Sequence, residues 1–129
     1  MGYEIKAYVG HTGNYESEKP KWFDVVAEMS LSKIGSKSEL MKLIVSEKER
    51  LKEDDARDVY FYASDGNTKI VKDKYGEKLF TIPLEKVLEA VCIDDKLDDY
   101  RRIRLFGDLL LSFKVNWGEE GVEVVFFGY

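Results

Sequence analysis

Near both ends of this chain apolar side chains fall at every second position, and between them the spacing changes to that of a helix. At the start Tyr3, Ile5, Ala7 and Val9 alternate with Glu4, Lys6 and Tyr8, the pattern of a strand with one buried face. Alternation resumes from Trp22, with Phe23, Val25, Ala27, Met29 and Leu31 on one side and Asp24, Val26, Glu28, Ser30 and Ser32 on the other. A second strand, antiparallel to the first, is expected there. Between the two, Gly10 to Lys21 holds His11, Gly13, Asn14, several charges and Pro20, which describes a surface loop.

The middle of the chain reads differently. Ser36-Lys37-Ser38-Glu39 offers a Ser-x-x-Glu capping box ahead of Leu40, Leu43, Ile44 and Leu51, so the spacing predicts a helix from about residue 37 to 53. Two strand-like runs, 59 to 64 and 67 to 72, then flank Asp65-Gly66, a strong hairpin signal. Closing that loop sets Phe61 opposite Ile70 and Tyr62 opposite Lys69. A turn near Tyr75-Gly76 leads to a further strand, Lys78 to Ile82. Pro83 suits the first turn of a second helix, whose apolar stripe is Leu84, Val87, Leu88 and Val91.

Asp94 to Arg104 reads as a third helix with acid first and base last, matching the helix dipole, and Gly107-Asp108 ends it. After it Leu109, Leu111, Phe113, Val115 and Trp117 alternate with Leu110, Ser112, Lys114 and Asn116. That pattern predicts a final hairpin with Trp117 opposite Val122, Val115 opposite Val124 and Phe113 opposite Phe126. The expected architecture is therefore one α+β domain over residues 1 to 129. It has a mostly antiparallel sheet of about six or seven strands with two to three helices, in the order ββα-βββ-α-α-ββ.

Charge and composition narrow the function classes. The 129 residues carry 20 basic and 25 acidic side chains, a net charge of -5, the wrong sign for general nucleic-acid binding. One cysteine and one histidine cannot assemble a Cys-based zinc or iron-sulfur site. No secretory signal is legible in MGYEIKAYVG, and the longest strictly apolar run, Val59 to Ala63, is far short of the roughly 20 residues that span a bilayer. A cytoplasmic protein without a membrane segment is expected. Lys6 stands where a myristoylation motif wants Ser or Thr, so no lipid anchor is indicated.

Residues that could carry chemistry are few. His11, in Gly-His-Thr-Gly, could serve as a general base, and with nearby carboxylates it supports an alternative reading as a small hydrolase or nucleotide-handling enzyme. Its bland counterpart is a surface histidine in a turn. Cys92 lies in a helical stripe and reads as a small core residue. Asp94, Asp95, Asp98 and Asp99 miss the spacing of a calcium loop and have Arg101 and Arg102 one turn away, so they read as a solvated helix start, and no metal or cofactor is expected. Arg101, Arg102 and Arg104 could take a phosphate or an acidic partner, although a local acid-base network accounts for them as well. No glycine-rich nucleotide loop or zinc-protease motif occurs.

Aromatic residues are plentiful by comparison. Tyr60 and Tyr62 lie opposite Val59 and Phe61 on one strand, and Val125, Phe127 and Tyr129 lie opposite Val124 and Phe126 on another. A second sheet face bearing Tyr60, Tyr62, Val125, Phe127 and Tyr129, interspersed with Lys114, has the composition of an interface. The alternative is that this face is covered within the monomer. The leading expectation is a small acidic, non-catalytic protein-binding protein (an inhibitor, immunity-type or adaptor protein). It would act through that aromatic face or through an edge strand, on another protein or on a second copy of itself.

Overall fold

The computed structural model describes residues 4–13, 19–97, 101–117 and 121–129. Six strands and three helices follow in the order β1 (Glu4–Thr12), β2 (Lys21–Lys33), α1 (Glu39–Arg50), β3 (Val59–Tyr62), β4 (Lys69–Ile70), β5 (Thr81–Pro83), α2 (Leu84–Leu97), α3 (Arg101–Asn116) and β6 (Glu123–Gly128). The fold is α+β with one mostly antiparallel sheet in the order β4-β3-β2-β1-β6-β5, and among the described residues only β2 and β3 run parallel. The hairpin at Asp65-Gly66 has the register read from sequence, Phe61 opposite Ile70 and Tyr62 opposite Lys69. Gly66 takes φ 76°, and the Asp65 carboxylate accepts from the amides of Asn67 and Thr68.

Helices cover one face of the sheet. Ile5, Ala7 and Val9 of β1, Ile82 of β5 and Val124 of β6 meet Leu40 and Ile44 of α1, Val87 and Val91 of α2, and Ile103, Phe106 and Leu110 of α3. The sheet itself covers much of the other face. It curls so that Val59 and Phe61 of β3, with Leu79, close on Tyr8, Phe23, Val125 and Phe127. Ring centroids of Tyr8 and Phe61 are 4.6 Å apart, and Phe127 stands 6.2 Å from each of them at steep angles, the geometry that favours aromatic pairs.

Two bulges let β2 serve both clusters. Gly10 opposes Val25 while Val9 opposes Ala27, so Val26 is extra, and Lys6 opposes Ser30 while Ile5 opposes Ser32, so Leu31 is extra. Each extra residue reverses the phase of alternation. Phe23 and Val25 therefore join the second cluster while Met29 and Leu31 join the first, although all four share one parity in the sequence.

Several expectations are corrected. Residues 109 to 116 are helical, so the final Leu109 to Gly128 hairpin and its pairings do not exist and the order ends α-α-β. Ile103, Phe106, Gly107 and Leu110 are buried at helical spacing, and that stripe outcompetes the local alternation. Gly107 does not end a helix. It sits inside α3, where an added Cβ would lie 3.1 Å from Val91 Cγ1, so its smallness lets α2 and α3 approach. The expected helix from Asp94 to Arg104 is not seen as a separate element: Asp94 to Leu97 belong to α2, Arg101 to Arg104 open α3, and residues 98–100 lie outside the described residues. Pro83 ends β5 and precedes the helix. Cys92 is exposed, since the buried side of α2 runs through Val87, Leu88, Ala90, Val91 and Asp94.

The start of α1 also differs from the expected box. Ser38 is the N-cap, and its Oγ accepts from Met41 N at 3.1 Å, whereas Glu39 is already the first helical residue. At its other end the helix is held by ions. Lys78 Nζ donates to the carbonyl of Leu51 at 2.7 Å, and the buried carboxylate of Glu47 takes Arg50 at 2.8 Å, Lys86 at 3.0 Å and Arg57.

Candidate functional site

The six residues expected on a common binding face are dispersed. Val125 and Phe127 are buried beneath β3 in the second cluster, and Tyr60 is buried with Lys69 Nζ 4.4 Å from its ring centre. Tyr62 and Tyr129 are exposed. Tyr129 is tied to its surroundings, its hydroxyl 2.9 Å from Ser30 Oγ and its carbonyl accepting from Tyr75 at 3.2 Å. Lys114 lies on α3 and pairs with Glu85 at 3.3 Å, so it belongs to no sheet face. The doubly apolar alternation of residues 59–62 and 124–127 is thus largely spent inside the monomer.

An edge strand remains. β2 is 13 residues long and pairs with β1 from Phe23 to Lys33, yet its other side meets β3 only at Lys21 and Trp22. Arg102 Nη1 donates to the carbonyl of Ser30 at 2.9 Å and closes one end of that margin. Phe23 to Met29 therefore forms no strand pairing on this side among the described residues. Trp22, Val26 and Glu28 are exposed along it. The strands at the ends of the sheet, β4 and β5, have two and three residues and offer little backbone to a partner. Tyr8 lies directly opposite Glu28 across the β1–β2 ladder. Burial pushes its phenol up to about 12, and the charges of Glu28 and Tyr129 add to the effect.

Among the described residues His11 meets one carboxylate. It lies opposite Asp24 in the ladder, with Nε2 3.1 Å from Asp24 Oδ2, and its ring centre is 5.8 Å from that of Trp117 at the end of α3. The next residue, Thr12, points to the other face of β1 and donates to Glu123 at 3.0 Å. Strand alternation thus places Asp24 and Glu123 on opposite sides of the sheet. Among the described residues no three His, Cys, Asp or Glu side chains gather as a metal site would require.

Asp94, drawn from sequence as part of a solvated helix start, is buried. Its Oδ1 accepts from Glu39 N at 2.7 Å and its Oδ2 from Leu40 N at 3.0 Å. The side chains of Asp95, Asp98 and Asp99 lie outside the described residues. Of the arginine cluster, Arg101 and Arg102 border a cavity beside the end of β2, a grouping that distant segments create and no local motif announces. Comparison with protein-family models, curated proteins and solved structures returned no match.

Proposed function

We propose that this protein acts without catalysis by binding another protein, as a small acidic inhibitor, immunity-type protein or adaptor, and that an extended segment of the partner adds to the free margin of β2. The observation that carries this reading is the one-sided pairing of β2 over Phe23 to Met29. Such a margin presents backbone donors and acceptors in a row, which a partner strand satisfies while alternate side chains confer selectivity. Asp24 and Glu28 favour a partner segment that carries basic residues, and exposed Val26 supplies an apolar contact. The bulges at Val26 and Leu31 twist the margin, which favours a short segment over edge-to-edge pairing of two copies. The enzyme reading is weaker, because His11 and Asp24 share one face while Glu123 lies on the other.

A pull-down from native lysate, with Val26→Arg run beside the native chain, identifies partners that depend on this margin. Amide exchange on the purified complex then reads the contact. Partner loss in Val26→Arg together with slowed exchange at residues 23–29 is expected. A partner retained equally by Val26→Arg, with exchange at 23–29 unchanged, overturns the reading, and self-association lost in the variant replaces the foreign partner with a second copy.

A further inference from the structure

A cavity of about 480 Å³ opens where the end of β2, the turn leading into α1 and the first turn of α3 meet. Its volume falls within the range of sites for small organic molecules, roughly 300–1,000 Å³. Leu31, Ile34 and Ile103 line it and are all buried, so its inner wall is apolar. Lys33, Arg101 and Arg102 line it too, and all three are exposed. The cavity therefore has an apolar interior and a cationic mouth.

Charge accounting sharpens the ligand. Glu4 and Asp94 also border the cavity, so three cations stand against two carboxylates. Asp94 already directs both oxygens at the amides of Glu39 and Leu40. Among the described residues one positive charge is left in excess, in a chain whose net charge is -5. Arg102 is engaged with the Ser30 carbonyl, whereas Arg101 makes no hydrogen bond or ion pair among the described residues. The first turn of α3 carries no acidic residue that could occupy it. A single positive excess matches a monoanion, and Glu4 disfavours a dianion such as a phosphate monoester. A planar guanidinium at the mouth suits a carboxylate, which it can grip through two parallel hydrogen bonds.

We propose that this cavity binds a small organic molecule with an apolar body and one terminal carboxylate. The body lies against Leu31, Ile34 and Ile103, and the carboxylate pairs with Arg101, with Arg102 and Lys33 beside it. The site is independent of strand addition to β2, because the residues that form it lie beyond the open stretch Phe23 to Met29.

Calorimetric titration of the full chain with decanoate and with decan-1-ol tests the two halves of the site, and methyl NMR shifts at Leu31, Ile34 and Ile103 locate the ligand. Decanoate is expected to bind saturably and about tenfold tighter than the alcohol, a difference of roughly 1.4 kcal/mol. Arg101→Gln, at an exposed position, is expected to leave the fold intact, to abolish that preference, and to leave the methyl shifts with decan-1-ol unchanged. Equal affinity for acid and alcohol, a preference that survives Arg101→Gln, or the absence of saturable binding with shifts at those methyls would overturn the proposal. Decyl phosphate completes the series, and binding as tight as that of decanoate would refute the monoanion argument.

Discussion

Asp94 Oδ2 lies 3.0 Å from the amide nitrogen of Leu40, so a side chain of α2 caps the N-terminus of α1. With this contact the first amides of α1 are all accounted for. Ser38 N donates to the Gly35 carbonyl, Glu39 N and Leu40 N to Asp94, and Met41 N to Ser38 Oγ. A helix end normally leaves such donors to water or to a local cap, and here half of the task falls to a residue more than fifty positions away.

Replacing Asp94 with Asn keeps the shape but removes the charge and one of the two acceptors. A loss of about 1–2 kcal/mol is expected from capping and buried hydrogen-bond values, measured as a lower urea midpoint with an unchanged slope. A loss no larger than that of an exposed substitution such as Glu89→Gln would show that the cap contributes nothing.

Acid should reveal the Glu47 cluster. Burial alone would push this carboxyl up, but hydrogen bonds from Arg50, Lys86 and Arg57, with the charge of Arg57, outweigh it and hold the value at about 2 against an ordinary 4.5. A depressed carboxyl stabilises the folded chain fully above its unfolded value, and that contribution disappears as pH falls from about 4.5 toward 2. In Glu47→Gln the stability lost over that window should be smaller than in the native chain. The variant should also be less stable at pH 7 by about 1–3 kcal/mol, since it leaves three cations around a neutral amide. Urea unfolding between pH 2 and pH 7 gives both quantities, and parallel curves for the two proteins would contradict the assignment.

The glycines at close approaches should answer differently to alanine. At Gly10 an added Cβ would fall 1.9 Å from the backbone carbonyl oxygen of Asp24, so the β1–β2 ladder must shift, and a loss of about 3 kcal/mol or more is expected. At Gly107 the obstacle is only Val91 Cγ1 at 3.1 Å. There the crowding opposes a helix-propensity gain of up to about 1 kcal/mol. Gly107→Ala should therefore be nearly neutral in the native chain and stabilising in a Val91→Ala background. A double-mutant cycle by thermal unfolding reads the coupling, and additive effects would exclude the contact.

The legible parts of the fold were those fixed by neighbours in the chain. Ile5, Ala7 and Val9 declare a buried strand face, Asp65-Gly66 sets its own register, and Leu40 and Ile44 mark one side of α1. What depends on distant segments was hidden. Leu109 to Trp117 alternates like a strand, yet the stripe Ile103, Phe106, Gly107, Leu110 crosses Gly107, and treating that glycine as a terminator conceals the helix. Tyr60, Val125 and Phe127 look like surplus apolar surface until β3 folds over β6, and a two-residue parallel pairing with β2 leaves no local trace of that placement. His11 and Asp24 were both visible. Their pairing depends on the register imposed by the bulges in β2.

The position of β6 has a consequence for how this chain can be made. Glu123–Gly128 is made after the other five strands, yet it fills the slot between β1 and β5 and carries Val124 into one core and Val125 with Phe127 into the other. A nascent chain still tethered before Glu123 has an open gap beside its first strand, and both clusters lack a wall. The hairpins and helices can form as they leave the ribosome, but the sheet closes only after that segment has cleared the exit tunnel. Until then the exposed flank of β1 is the surface that a chaperone holding this chain would have to shield.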